Sequence, residues 1–141
     1  MKNGRKRKSW PVTALNLAFS IADSRSEDPY RQVGAVAIKK DGSIVAGYNG
    51  APSGIDIDWS DRDARQFRAI HAEVNVLNFC KPGEVDFLAV TCTPCYSCIK
   101  TIAAKRISKV YYCLDYQSEK SQLVIDLAKE FKIELIQIQP D

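Results

Sequence analysis

The chain has 141 residues, of which 45% are hydrophobic and 26% are charged, and its formal net charge is +3. These values are typical of a soluble globular domain, and the low net charge argues against a wide nucleic-acid interface. No apolar run approaches the roughly 18 residues of a membrane-spanning helix, and no signal-peptide core follows the basic segment 1–8. We therefore expect one soluble, cytoplasmic domain (1–141). The basic segment is either a flexible, solvated end or a nucleic-acid arm or localisation signal.

The first predicted element is a helix. Ser9 is a good N-cap residue, Pro11 suits the first helical turn, and apolar residues at helical spacing follow up to Ala22. The polar segment 24–28 and then Pro29 end this helix.

A β-hairpin and a long loop come next. Apolar runs at 33–38 and 43–48 flank the turn Lys40-Asp41-Gly42, which predicts two antiparallel strands. Residues 49–63 are rich in Gly, Pro, Ser and Asp, and long ordered loops of this kind tend to be functional.

The second half of the chain alternates between helical and strand patterns. The predicted elements are a helix from about Arg65 or His71 to Phe79, a strand at 87–92, a helix at 96–104, a strand at 110–114, a helix at 118–131 and a strand at 133–138. Alternation of this kind implies parallel crossovers, whereas the hairpin is antiparallel. The sequence therefore predicts an α/β fold in which helices cover a five-stranded mixed sheet.

The strongest chemical signal is His71-Ala72-Glu73 followed, after twenty residues (74–93), by Pro94-Cys95-Tyr96-Ser97-Cys98. His71 is the only histidine in the chain. One histidine and two cysteines make three zinc ligands, which leaves the fourth tetrahedral position open, as in catalytic zinc sites. The pattern H-x-E…P-C-x-x-C is the known signature of zinc deaminases.

Each half of this motif has other interpretations when it is taken alone. A C-x-x-C pair could be a redox pair, half of a zinc finger or two buried thiols, and a lone histidine often caps or packs a helix. Their conjunction, in the required order, favours a catalytic zinc site. An odd number of cysteines without a signal sequence argues against disulfides, so Cys80, Cys92 and Cys113 are predicted to be small core residues.

Glu73 is the predicted general acid–base. Two thiolates formally neutralise the zinc dication, so the ion should acidify a water less than a three-histidine site does, where the water pKa is about 7. A separate proton carrier then becomes important, and such groups contribute about 10²–10⁴-fold to rate. The expected reaction is attack of the activated water on the amine-bearing carbon of a cytosine or adenine ring.

Three further segments accompany the metal motif. They are Arg25-Ser26-x-Asp28-Pro29-x-x-Gln32-Val33-Gly34-Ala35, Gly47-Tyr48-Asn49-Gly50-x-Pro52-x-Gly54, and His71-Ala72-Glu73-x-Asn75. With them the chain, from about Trp10 to Ile138, resembles the deoxycytidylate (dCMP) deaminases of the cytidine-deaminase-like superfamily. The resemblance implies a three-layer α/β/α sandwich, one catalytic Zn²⁺ per chain, conversion of dCMP to dUMP, and a homo-oligomer that is commonly a hexamer.

The resemblance also implies substrate contacts outside the metal motif. These are Asn49 for the sugar, the backbone of Ala72 and Thr93 for the base, Tyr116 after the fourth strand, and Arg25 and Ser26 for the 5′-phosphate. Taken alone, Asn49 could be a turn residue, Tyr116 a core aromatic and Arg25 a solvated charge.

Regulation by nucleotides is a further implication: dCTP is expected to activate and dTTP to inhibit, at a site apart from the zinc. The glycine-rich loop makes Gly50, Gly54 and Asp56 the candidate residues, because glycine allows close approach of the backbone. Aspartates in this loop could recruit Mg²⁺ with a triphosphate.

Two other functions remain open. The tRNA adenosine deaminases share H-A-E and P-C-x-x-C, but Asp56, Asp58, Asp61 and Asp63 in the long loop oppose a polyanionic substrate, so a nucleic-acid partner is not expected. A non-catalytic zinc-stabilised binding module is the other alternative, and it has no need of Glu73. A second metal site at Cys80 and Cys92 is not expected, because no histidine remains for it.

Overall fold

A five-stranded sheet forms the centre of the computed structural model, which describes residues 4–115 and 120–141. In chain order the elements are α1 (Trp10–Arg25), β1 (Gly34–Lys39), β2 (Ile44–Tyr48), α2 (Arg62–Arg68), α3 (Ala72–Leu77), β3 (Val85–Cys92), α4 (Tyr96–Ala104), β4 (Lys109–Leu114), α5 (Ser121–Glu130) and β5 (Glu134–Gln137). The strands lie in the order β2-β1-β3-β4-β5. β1 is antiparallel to β2 and β3, whereas β3, β4 and β5 are parallel, so the predicted mixed sheet is confirmed.

Alternating side chains of the central strands supply the two cores. Val36 of β1 and Ala89 of β3 pack on the face that contacts α1. Ala35 of β1 and Leu88 of β3 pack on the opposite face. The first face is covered by α1, and the second by α3, α4 and α5, whose buried residues, except Glu73 and Cys98, join a single cluster. Since both faces of these strands are covered, residues 35–38 of β1 and 87–90 of β3 are continuous apolar runs. This arrangement is the predicted three-layer α/β/α sandwich.

Helix α1 lies very close to the sheet because small residues line their contact. Ser9 caps the helix through a 3.3 Å bond from the backbone N–H of Val12, as predicted. Ala14 and Ala18 of α1 are fully buried. A Cβ atom at Gly34 would lie 2.0 Å from the carbonyl oxygen of Ala18, so β1 requires glycine at this point.

The helical segment after the long loop differs in part from the prediction. The alternative start at His71 agrees with α3, which has His71 as its N-cap. The alternative start at Arg65 is wrong, because α2 and α3 are separated by extended residues 69–71. The break has a physical cause: Ile70 exchanges two backbone hydrogen bonds with Gly50, of 2.7 and 3.2 Å, and residues in such a bridge cannot also continue a helix. α2 starts within the predicted loop, where the Asp61 side chain caps it.

The remaining bounds agree with the predicted ones to within a few residues. The described part of the fourth predicted helix, 118–131, is α5, and the last strand is shorter than 133–138. Within residues 4–115 and 120–141, the structure contains no helix with the length and apolar character that crossing a membrane requires.

Candidate active site

Three metal-ligating side chains converge at the ends of two helices. His71 is the N-cap of α3 and Cys95 the N-cap of α4, while Cys98 lies in the first turn of α4. The Nδ1 atom of His71 lies 3.3 Å from the Sγ atom of Cys95 and 3.2 Å from that of Cys98, and the two sulfur atoms are 3.4 Å apart. Among the described residues, this is the group whose ligand atoms lie close enough together to hold a metal ion.

The donor set fits a zinc ion. With Zn–S of about 2.3 Å, Zn–N of about 2.0 Å and tetrahedral angles, two sulfurs would lie about 3.8 Å apart and a sulfur–nitrogen pair about 3.5 Å. The observed separations need to widen by only about 0.4 Å or less. Soft thiolates with one imidazole are also the donors that zinc prefers.

Charge at the cluster is compatible with a cation. The pKa of the Cys95 thiol is lowered to about 3, first by its hydrogen bond with Cys98 and also by those with His71 and Ser97. The pKa of Cys98 is raised by the same contact and by burial, and that of His71 is raised, mainly by Cys95. The lowered pKa of Cys95 favours the thiolate, which is the form in which cysteine binds a metal ion.

Glu73 lies beside the cluster and is buried, with 4% of its surface exposed. It is the second residue of α3, two positions after His71. Burial is the main cause that raises the pKa of its carboxyl group, while a backbone hydrogen bond and His71 oppose the shift. A raised pKa keeps a carboxyl group close to the pH at which it can both accept and return a proton.

A cavity of about 280 Å³ opens onto this group. His71, Ala72, Glu73 and Cys95 contribute to its lining. The other lining residues come from segments far apart in the chain: Asp28, Arg31, Val33, Asn49, Arg65, Gln66, Ala69, Ile70, Cys92 and Thr93. Several predicted site residues therefore line one cavity. They are the proposed proton carrier Glu73, the metal ligands His71 and Cys95, and Ala72 and Thr93, whose backbone was predicted to hold the nucleobase.

Asn49 lines the cavity and also holds one wall of it together. Its Oδ1 atom accepts hydrogen bonds from the Ser26 hydroxyl at 2.5 Å and from the Val33 N–H at 3.0 Å, and its Nδ2 atom donates to the Arg31 carbonyl at 2.8 Å. Ser26 contacts Asn49 and does not line the cavity. The structure thus gives the Asn49 side chain a positioning task that the sequence did not reveal.

Besides Ser26, two of the predicted substrate residues do not appear in the described lining of the cavity. Arg25 is exposed at the end of α1 and is absent from the cavity lining. Tyr116 falls outside the described residues. Conversely, Arg31, Arg65 and Gln66 line the cavity without having been predicted. No sequence signal distinguishes these two arginines among the 20 lysines and arginines of the chain, because they reach the site only through the fold.

The predicted regulatory loop contributes to a second cavity, of about 530 Å³, whose lining includes Tyr48, next in the chain to Asn49 of the first cavity. Gly54 and Asp56 line it together with Glu27. Gly50 is not in the lining, but a Cβ atom there would lie 2.7 Å from the Glu27 Oε1 atom, so Gly50 lets this carboxylate approach the backbone.

Comparison with known proteins identifies the family. Residues 8–114 match the family described as the cytidine and deoxycytidylate deaminase zinc-binding region. The chain is 34% identical over 124 residues to the deoxycytidylate deaminase of Mycobacterium phage D29, with 75% of this chain and 95% of the phage protein covered. It is 36% identical over 101 residues to a probable deoxycytidylate deaminase of Caenorhabditis elegans, covering 65% of this chain but about half (51%) of the worm protein.

One solved structure is similar to this chain over almost the whole length of the chain. The crystal structure of the dCMP deaminase from cyanophage S-TIM5, in complex with dCMP and dUMP, superposes with a TM-score of 0.77 at 26% identity and covers 95% of this chain and 100% of the phage chain. The metal-ligating motif, the mixed sheet and these matches lead to one conclusion: the chain belongs to the cytidine and deoxycytidylate deaminase family.

Proposed function

We propose that this protein catalyses the hydrolytic deamination of dCMP to dUMP and ammonia and holds one zinc ion per chain. The observation that carries the proposal is the convergence of His71, Cys95 and Cys98 beside the buried carboxyl group of Glu73, at a cavity wide enough to admit a ligand. The similar cyanophage dCMP deaminase, crystallised with dCMP and dUMP, supports the choice of substrate.

The three donors would hold the zinc, and Glu73 would manage the protons. When bound, the ion would lower the pKa of a water molecule and so supply a nucleophile near neutral pH. Glu73 takes one proton from the water and passes it to the ring nitrogen as the C–O bond forms. It then takes the second proton, from the hydroxyl group that has been added to the ring carbon, and passes it to the amine. The C–N bond breaks as the carbonyl forms, which yields ammonia and dUMP, and the first proton stays on the ring nitrogen. Burial of Glu73 supports this role, since it keeps the proton carrier away from bulk solvent.

Backbone and amide groups at the cavity would hold the nucleoside. Ala72 lies in the first turn of α3 and Thr93 directly after β3, and both line the cavity next to the proton carrier. The Asn49 side-chain amide has two N–H groups, and one of them donates to the Arg31 carbonyl. We assign the second N–H group to the sugar. Cys92 completes this wall as a neutral thiol, because burial raises its pKa to about 12.

Regulation by dCTP and dTTP forms the second part of the proposal, with the site in the cavity that Gly54 and Asp56 line. Three short segments contribute to both cavities: in each, one residue lines this cavity and a residue one or two positions away lines the active-site cavity. Glu27 and Asp28, Tyr48 and Asn49, and Glu73 and Asn75 form these pairs. A ligand that shifts these segments would act on both cavities, which supports coupling between them. Glu27 and Asp56 could hold Mg²⁺ with a triphosphate.

A homo-oligomer, with a hexamer favoured, completes the proposal. Large apolar side chains on the surface support it: Phe67 is 85% exposed, and Phe79, which lines the proposed regulatory cavity, is 73% exposed. Apolar groups of this size are commonly covered by association. Light scattering coupled to size-exclusion chromatography tests the oligomer, and a monomer at micromolar concentration would contradict it.

Parallel turnover assays on dCMP, dCTP, deoxycytidine and a tRNA anticodon stem-loop test the function. We expect dCMP to be the best substrate, with dUMP and ammonia formed in equal amounts. Adenosine deamination in the stem-loop without dCMP turnover would instead establish the tRNA-directed function. Bound zinc without turnover of any of these would favour a zinc-stabilised binding module.

A further inference from the structure

Two arginines that reach the active site from separate elements carry an additional inference. Arg31 lies between α1 and β1, and Arg65 lies in α2, yet both line the cavity that contains Glu73. The planar guanidinium group offers paired N–H donors that match the oxygen atoms of a phosphate. Two such groups at one cavity are the chemistry that recognises a phosphate ester.

Arg65 is held in place by its neighbours. Its guanidinium carbon lies 4.3 Å from the centroid of the Tyr30 ring, and its Nη1 atom donates to the Trp59 carbonyl at 2.8 Å. The side chain is half-buried. These contacts restrict the rotamers of a long side chain, so less conformational entropy is lost when the group binds a ligand.

The backbone at Arg31 is equally well defined. Its carbonyl accepts the 2.8 Å bond from Asn49, and its N–H donates to the Asp28 Oδ1 atom at 3.3 Å. The same Oδ1 atom accepts from the Tyr30 N–H at 2.8 Å. Asp28 also lines the cavity, but its carboxylate is engaged with the backbone of this segment. The segment is therefore shaped to present residue 31 at a reproducible position.

We propose that Arg31 and Arg65 are specificity-determining residues that bind the 5′-phosphate of the nucleotide substrate. This inference rests on the proposed function and names the part of the site that separates a nucleotide from a nucleoside. Arg25, to which the family resemblance points, is exposed and outside the cavity lining. The phosphate thus meets arginines from two walls of the cavity, and Tyr30 positions one of them.

The test compares Arg31→Gln and Arg65→Gln with Arg62→Gln as a matched control. Arg62 is in the same helix as Arg65, is exposed and lines neither cavity. For the wild-type protein kcat/KM should be far higher with dCMP than with deoxycytidine. In each of the two cavity variants kcat/KM for dCMP should fall by about 10- to 100-fold, the range for a hydrogen bond to a charged group, while deoxycytidine turnover changes little. The control should keep the wild-type ratio.

Binding of the product supplies a second readout that does not depend on turnover. Titration calorimetry with dUMP and with deoxyuridine should show that the wild-type protein prefers dUMP and that the two cavity variants lose this preference. If the wild type prefers the phosphorylated ligand and the variants keep that preference, the inference is overturned and the proposed function stands. Equal affinity of the wild type for dUMP and deoxyuridine also overturns it. Absence of turnover of both cytosine substrates would refute the proposed function, while the binding preference would still decide the inference.

Discussion

The Nδ1 atom of His71 and the Sγ atom of Cys98 lie 3.2 Å apart, although 27 positions separate these residues in the chain. Strand β3 is the central strand of the sheet, and α4 begins four residues after it ends. The two cysteines at the start of α4 therefore lie next to the N-terminal end of α3, where His71 is the N-cap. The metal centre therefore depends on the packing of α3 against α4, and the predictions that follow test this centre and the walls around it.

Metal content should depend on the three converging donors. We expect the purified protein to hold one zinc per chain and Cys95→Ser or His71→Ala to lose it together with activity, because two ligands cannot retain the ion tightly. Cys80→Ser is the control: this buried thiol donates to the Val76 carbonyl away from the cluster, and a hydroxyl can do the same. Mass spectrometry measures the amount of bound zinc. Two zinc ions per chain, or no zinc in a protein that is still active, would contradict the assignment.

Proton transfer should be separable from metal binding. Glu73→Gln keeps the side-chain volume but removes the titrating group, so we expect zinc retention and a kcat at least about 10²-fold lower, within the range for general acid–base catalysis. Steady-state kinetics and metal analysis on the same sample provide the check. Near-normal kcat would exclude Glu73 as the proton carrier.

Asn49 should affect substrate affinity and stability together. Asn49→Ala removes bonds to Ser26, Val33 and Arg31 that shape one wall of the cavity, so we expect a higher KM for dCMP and a loss of about 1–3 kcal/mol in the free energy of unfolding. Asn16→Ala is the control, because its amide bonds to the C-terminal residue at the surface. An unchanged KM in Asn49→Ala would show that this wall does not contact the substrate.

Packing of α1 on the sheet should tolerate no side chain at residue 34. Gly34→Ala places a Cβ atom against the backbone of Ala18, and backbone atoms cannot move aside as a flexible side chain can. We expect a loss of about 3 kcal/mol in the free energy of unfolding, the upper end for overpacking. Gly83→Ala, in open space but with φ of +83°, should cost about 1 kcal/mol through backbone strain alone. Urea unfolding at constant zinc measures both, and equal losses would refute the packing argument.

Activation by dCTP should be lost when the proposed regulatory cavity is altered. Asp56→Asn removes a charge from that cavity but lies outside the active-site lining, so basal dCMP turnover should persist while the leftward shift of the rate curve by dCTP and Mg²⁺ disappears. Rates over a range of dCMP concentrations, with and without dCTP or dTTP, test this. If the wild-type protein shows hyperbolic kinetics and purely competitive inhibition by dTTP, the proposal of a separate regulatory site is contradicted.

Local features of the sequence were sufficient for most of the fold. Apolar alternation and turn residues predicted the strands because side chains in a strand point to opposite faces, and β1 and β3 follow this rule. The alternative of a continuous helix from Arg65 was wrong for a non-local reason. Residues 69–71 are extended because Ile70 bonds to Gly50, and a window of adjacent residues does not contain that partner.

The chemistry of the site can be read from local motifs, since one histidine, two cysteines and a carboxylate at this spacing match a deaminase signature. The surroundings of that chemistry depend on the tertiary fold. It brought Arg31 and Arg65 to the cavity, left Arg25 outside its lining, and formed a second cavity lined by Gly54 and Asp56. The physical reason is that ligand identity and helix caps are properties of neighbouring residues, whereas a cavity wall is made of segments that meet only when the sheet and its helices pack.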